Sequence, residues 1–229
     1  GRAYYELGRQ ERTIEDYGDA MRFDPMILGL AVVDTDRAYS KLDRVEEDVV
    51  GGELSPDDSD AFNRRGNVYF RHGDHTRAIE GYDAAIELNS ENADALFNRG
   101  FSFNARGEYA RAIEDFDKAI EVDPGVAYAF LGRGLAYFAL GERNRAIENY
   151  DRAIELDAEN AHAFFARGRA RELLGDYEQA IEDYDRTIEL DRGHAGAFLG
   201  RGTAYSAVGA DARALEDYDR AIELEPDNV

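Results

Sequence analysis

A text of 34 residues repeats along this chain. Residues 127–160 read AYAFLGRGLAYFALGERNRAIENYDRAIELDAEN, and the same text recurs with small edits before and after them. Gly100, Gly134, Gly168 and Gly202 sit one period apart, as do Ala112, Ala146, Ala180 and Ala214. A unit this short cannot bury an apolar face alone, so the chain must stack its units. Such an array grows by addition, and a length of 229 residues therefore sets no domain count.

Clean units run 59–92, 93–126, 127–160, 161–194 and 195–228. Each opens on a first helix with apolar residues at helical spacing, such as Phe130, Gly134, Tyr137 and Leu140. Gly73, Gly107, Gly141, Gly175 and Gly209 follow, where a helix must stop in a left-handed turn. Asp74, Glu108, Glu142 and Asp176 come next and suit the positive end of a second helix. The fold class is thus all-α, built of antiparallel helix pairs. Residues 1–25 match the tail of one further unit, whose first helix begins in its middle at Gly1, so the chain reads as a fragment. Residues 26–58 read as a degenerate unit with a loop near 49–56, or alternatively as a hinge. Ser55-Pro56-Asp57-Asp58 reads as a helix start, with Ser55 capping.

Two helices that cross closely leave no room for a side chain. Gly134 and Ala146 supply that room, while Phe130, Tyr137 and Tyr150 fill the wider gaps. These residues, with Ala153, resemble the tetratricopeptide repeat (TPR) signature, with Phe in the place of the family's usual Trp. Arg65, Arg99, Arg133, Arg167 and Arg201 replace the frequent Leu before the Gly. The resemblance covers 59–228 and, as remnants, most of 1–48. It implies a TPR α-solenoid, a right-handed superhelix whose concave groove is lined by the first helices.

The recurrent arginine is expected to pair within its repeat with Asp115, Asp183 or Asp217. Arg65 is the exception, because Gly81 stands at the acid's position. A second stripe, Glu114, Asp117, Glu121 and their repeats, forms a solvated outer face, or alternatively an acidic docking face. On it Lys118, Arg152, Arg186 and Arg220 lie four residues after a Glu, the favourable order for a helix pair.

A net charge of −22 disfavours nucleic acid and anionic membrane surfaces. No apolar run approaches the ~18 residues of a membrane span, so direct membrane insertion is not expected. Arginine outnumbers lysine 25 to 2, which fits an acidic repeat template or a salt-adapted or GC-rich source. The absence of cysteine removes disulfides, thiolate metal sites and cysteine nucleophiles. His72 and His75 form an H-x-x-H without further ligands nearby in sequence, so no metal is expected. Gly132-Arg133-Gly134 and Gly200-Arg201-Gly202 lack the third Gly and the strand of a dinucleotide site, and Asp34-x-Asp36 lacks the rest of a calcium loop. No cofactor and no catalytic residue follow, and no enzyme is expected. The compartment stays open, a soluble cytoplasmic setting being favoured over a secreted or periplasmic one.

By the resemblance, the groove face carries Asn63, Asn67 and Phe70; Phe97, Asn98, Phe101 and Asn104; Tyr128, Leu131, Leu135 and Phe138; and His162, Phe165 and Arg169. Its middle reads as an exposed apolar stripe, and such a stripe marks an interface unless several of its members pack between neighbouring units. TPR domains that hold the C-terminal carboxylate of chaperones use cations on this face. Asn67 and Asn98 fit that pattern, but Asn63, Tyr128 and Gly132 stand where the cations belong. The expected function is a protein-interaction scaffold that takes a partner helix or extended peptide in the groove. The alternative is a structural scaffold that forms a homo-oligomer through its end or groove surfaces.

Overall fold

A computed structural model describes residues 58–225. Asp58 apart, the partial unit at 1–25 and the degenerate unit or hinge at 26–58 lie outside them. The described residues divide into two bodies, 58–123 and 124–225.

The first body holds α1 (Ser59–Arg71), α2 (His75–Leu88), α3 (Ala93–Ala105) and α4 (Tyr109–Val122). The second holds α5 (Ala127–Ala139), α6 (Arg143–Leu156), α7 (Ala161–Leu174), α8 (Tyr177–Leu190), α9 (Ala195–Ala207) and α10 (Asp211–Leu224). Each odd-numbered helix packs on the even-numbered helix that follows it, through a short turn. The fold is of the α-solenoid class.

The turns form where the sequence places them. Gly73, Gly107, Gly141, Gly175 and Gly209 have φ between +73° and +87°, where a Cβ would be strained. The starts of four of the five first helices are capped by side chains, while α5 starts after Val126 without such a cap. Asp58, Asn92 and Asn160 accept from the backbone N–H of Ala61, Ala95 and Ala163 at 2.9–3.0 Å. His194 does the same through Nδ1, at 3.1 Å from Ala197 N. The cap of α1 is Asp58, and Ser55 lies outside the described residues. Of the acids before the second helices, Asp74 caps Arg77 N, whereas Glu108, Glu142 and Asp176 make no side-chain cap bond.

Each helix pair closes over a glycine facing an aromatic ring. A Cβ on Gly134 would fall 2.5 Å from Tyr150 Cε1, and one on Gly168 would fall 3.0 Å from Tyr184 Cε1. Both rings are fully buried, so neither can swing aside. Gly134→Ala is expected to cost about 1–3 kcal/mol by overpacking. Gly168→Ala should cost less, and urea midpoints of the two variants check the order.

Candidate functional site

The first-helix face is best built from its arginines. Arg99 donates from Nε and Nη2 to the two oxygens of Asp115, both at 2.7 Å, in the bidentate geometry that a planar guanidinium favours. Its Nη1 reaches Asp83 on the preceding helix pair at 2.6 Å. Arg167 holds Asp183 and Asp151 in the same way, and Arg201 holds Asp217 and Asp185. The expected pairing within the repeat is present, and a second one between consecutive pairs accompanies it. Asn149 stands in for the acid at Arg133, accepting from Nε at 2.7 Å. Arg65 faces Gly81 and instead lies over the Phe62 ring, 4.8 Å from its centroid. These guanidiniums are committed to structure and do not form an anion site.

The outer acidic stripe pairs differently from the sequence expectation. Arg152, Arg186 and Arg220 bond Glu155, Glu189 and Glu223, three residues later, at 2.7–2.8 Å. Either pairing on this exposed face contributes only ~0.3–0.5 kcal/mol, so the exchange changes little.

In the first body, Asn63 is buried and accepts from Asn98 Nδ2 at 3.1 Å. Half-buried Asn67 accepts from the Tyr82 hydroxyl at 2.8 Å. Phe70 is buried edge-on to His75, with centroids 5.2 Å apart. Phe97 stands edge-on to Phe101 at 5.3 Å, and Phe101 to Phe116 at 5.1 Å; all three are buried. Asn98 and Asn104 are half-buried.

In the second body, Leu131 and Leu135 are buried, while Tyr128 and Phe138 are half-buried. Burial, with Asp157 nearby, pushes the Tyr128 phenol up to about 12, an Asn160 hydrogen bond acting the other way. Phe165 is buried between Tyr184 and His194, at 5.9 and 4.5 Å. His162 and Arg169 are half-buried on α7.

The apolar stripe expected to be exposed is therefore packed. Phe97, Phe101, Leu131, Leu135 and Phe165 are all buried, and Phe138 alone is partly open. The reason is steric: Phe165 shares a cluster with Ala180 and Tyr184 of its own pair and Ala197 of the next. What the face presents outward is amide, imidazole and guanidinium.

Several polar atoms at this face have no hydrogen-bond partner among the described residues. They are His162 Nδ1, Arg169 Nε and the Tyr150 hydroxyl, all buried. The equivalent hydroxyls of Tyr82 and Tyr184 bond Asn67 and Glu172. At Tyr150 the matching first-helix positions carry Leu135 and Phe138, which offer no acceptor. Burial pushes the His162 imidazole down, Asp191 opposing it. His75 is pushed down the same way, and no group of three or more metal-ligating side chains occurs among the described residues. None of the described helices is long and apolar enough to cross a membrane.

A helix-hairpin repeat scaffold is the class that this architecture defines. Tetratricopeptide repeat sequence families match residues 34–90, 63–127, 134–175, 161–194 and 195–228. The chain belongs to the tetratricopeptide repeat family, a family of protein-interaction scaffolds. Its fold is similar to the crystal structure of MamA, at 29% identity and a TM-score of 0.64, covering 70% of this chain and 94% of that one. It is similar also to YrrB, described as a TPR protein with an unusual peptide-binding site, at 25% identity and 0.62, covering 86% and 95%. MamA from Desulfovibrio magneticus RS-1, at 18% identity and 0.66 over 73% and 95%, shares the fold. No curated protein matches the chain.

Proposed function

We propose that the chain is a non-enzymatic interaction scaffold that holds a partner helix or extended peptide against its first helices, the five units over 59–228 forming the binding module. The observation that carries this reading is the set of unpartnered buried polar atoms at that face, His162 Nδ1 and Arg169 Nε on α7 and the Tyr150 hydroxyl beneath α5. A buried polar atom left unbonded costs about 1–3 kcal/mol, and a bound partner supplying acceptors would recover it. The described peptide-binding site of YrrB, a relative of similar length, supports the same use of the fold. Leu131 and Leu135 are buried, so changing them would test folding rather than binding.

A peptide selected on the full chain from a displayed library provides the test. Arg169→Met should weaken its binding about tenfold, the loss of one charge-assisted hydrogen bond, and should not lower the urea midpoint of the free chain. Glu189→Ala on the outer face should do neither. Equal binding by wild type and Arg169→Met would sink this reading. Self-assembly through end or groove surfaces is the alternative, and the exposed apolar side chains of Leu199, Leu215 and Ile222 favour it; sedimentation over a concentration series would reveal it.

A further inference from the structure

The first helices of the second body end on a row of exposed apolar side chains. The residue just before the left-handed turn glycine is Leu140 at the end of α5, Leu174 at the end of α7 and Val208 at the end of α9, one period apart. They are 48%, 43% and 40% exposed, and Leu173 beside Leu174 is open as well. Nine large apolar side chains are exposed among the described residues, and these four share one edge. Leu140 and Leu174 each have a further described unit after them, so the row is open along the array and not at one unit alone.

The turn does not require apolar residues there. The same position carries His72 and Arg106 in the first body, both exposed, and Arg106 bonds Glu108 at 2.8 Å. A polar side chain thus serves at this place, whereas a row of apolar ones gives up solvation with no packing in return, which marks a surface that another molecule covers. The flank of the row is acidic. Glu142 and Asp176 follow the turn glycines, and Asp211 starts α10; all three are exposed. Glu142 holds Arg145 at 2.8 Å. Asp176 and Asp211 bond no cation among the described residues, and Asp176 makes no cap bond either.

We infer that the turn edge of the second body docks a basic amphipathic α-helix of a partner protein, laid across the ends of α5, α7 and α9. Its apolar residues, seven apart, sit on Leu140, Leu174 and Val208, and its Lys or Arg side chains sit beside Asp176 and Asp211. Consecutive first helices touch, at the separation of about 10 Å that packed helices keep. Seven residues of an α-helix advance ~10.5 Å, so one apolar residue per two turns meets one unit of the array. The acids set the sign of the partner. A second copy of this chain, with its net charge of −22, would bring acids against acids, whereas Lys or Arg would pair with them. None of the edge residues belongs to the first-helix face proposed above to hold a peptide.

The probe is a helical peptide of about 21 residues, long enough to cross three units, with leucines seven apart, lysines along one flank and alanine elsewhere. It is titrated against the full chain by fluorescence anisotropy. The expected result is binding that Leu174→Ser weakens about tenfold, by losing roughly half of a leucine's burial, and that Arg169→Met leaves unchanged. Asp176→Asn combined with Asp211→Asn should weaken it severalfold and flatten its salt dependence. A scrambled peptide of the same composition should bind at least about tenfold more weakly. Leu174, Asp176 and Asp211 are exposed, so their variants should keep the wild-type melting curve. No binding up to ~1 mM, equal binding of the scrambled peptide, or indifference to Leu174→Ser overturns the inference. Self-association that Leu174→Ser dissolves would give the edge to a second copy and overturn the assignment to a basic partner. Binding lost in Arg169→Met but kept in Leu174→Ser would seat the peptide on the first-helix face, overturning this inference and leaving that reading in place.

Discussion

Replacing Asp183 with alanine is expected to lower the unfolding free energy by about 3–5 kcal/mol, the cost of breaking a buried ion pair from one side. Asp183 is 2% exposed and accepts from Arg167 Nε at 3.1 Å and Nη2 at 2.6 Å, and from Arg171 Nη1 at 2.7 Å. Burial pushes its carboxyl up from the ordinary value, while the two guanidiniums pull the other way. The triad therefore contributes little as a sum and much as a constraint, since removing the carboxylate leaves two mostly buried cations facing one another. Asp151 provides the contrast. It binds the same Arg167, at 2.6 Å, but its side chain is 46% exposed. Asp151→Ala leaves Arg167 with Asp183 and should cost under about 1 kcal/mol. Urea unfolding of the full chain at neutral pH separates the two. Equal losses would mean that the contact between pairs weighs as much as the one within a pair. Because stability in a repeat array is a sum of local terms, Asp183→Ala should also broaden the transition by creating a weak link.

The period of 34 residues made the helix pairs legible, because glycine, alanine and aromatic residues each have a single steric use at their positions. The turn glycines follow from that logic, whereas Gly134 meets the ring of Tyr150, a residue that the sequence placed in the wider gaps. The open surface was less legible. A residue such as Phe165 lies on a helix that touches its own second helix, the next pair and solvent, and one apolar letter fits all three. Only the packing of Phe165 against Ala197 decides among them. The second partner of each recurrent arginine was hidden for a similar reason. Asp83, Asp151 and Asp185 sit in an acidic stripe, and nothing in that stripe marks which acids meet a guanidinium from the next pair. Asn92 and Asn160 were readable as caps from residue type alone, whereas His194, in the same position, was not, because imidazole is an uncommon cap.

His194 makes the array sensitive to acid. Its ring is 1% exposed, and Nδ1 accepts from Ala197 N, so the neutral ring carries its proton on Nε2. The imidazolium needs a proton on Nδ1 as well. That proton destroys the cap and puts a positive charge at the positive end of α9. The ring also faces Phe165 at 4.5 Å, with His162 and Asp191 close enough to couple to it. Burial, with His162 acting in the same direction and Asp191 opposing, pushes the imidazole down to about 4. The unfolded chain takes up this proton near pH 6.5 and the folded chain only near pH 4, so the unfolded state binds more protons between them. Stability from this site is complete above about pH 6.5, falls as the pH drops towards 4, and levels off below. At ~1.4 kcal/mol per pH unit the loss is about 3 kcal/mol, and His162, shifted in the same direction, adds to it. His194→Asn tests the site, because asparagine already caps α3 and α7 from this position at 3.0 Å. The variant should match wild type at pH 7 within about 1 kcal/mol. Between pH 6.5 and 4 it should lose about 3 kcal/mol less, the carboxylates common to both proteins cancelling in the difference. Parallel stability curves for the two proteins across that range would show that the His194 ring does not control the acid response.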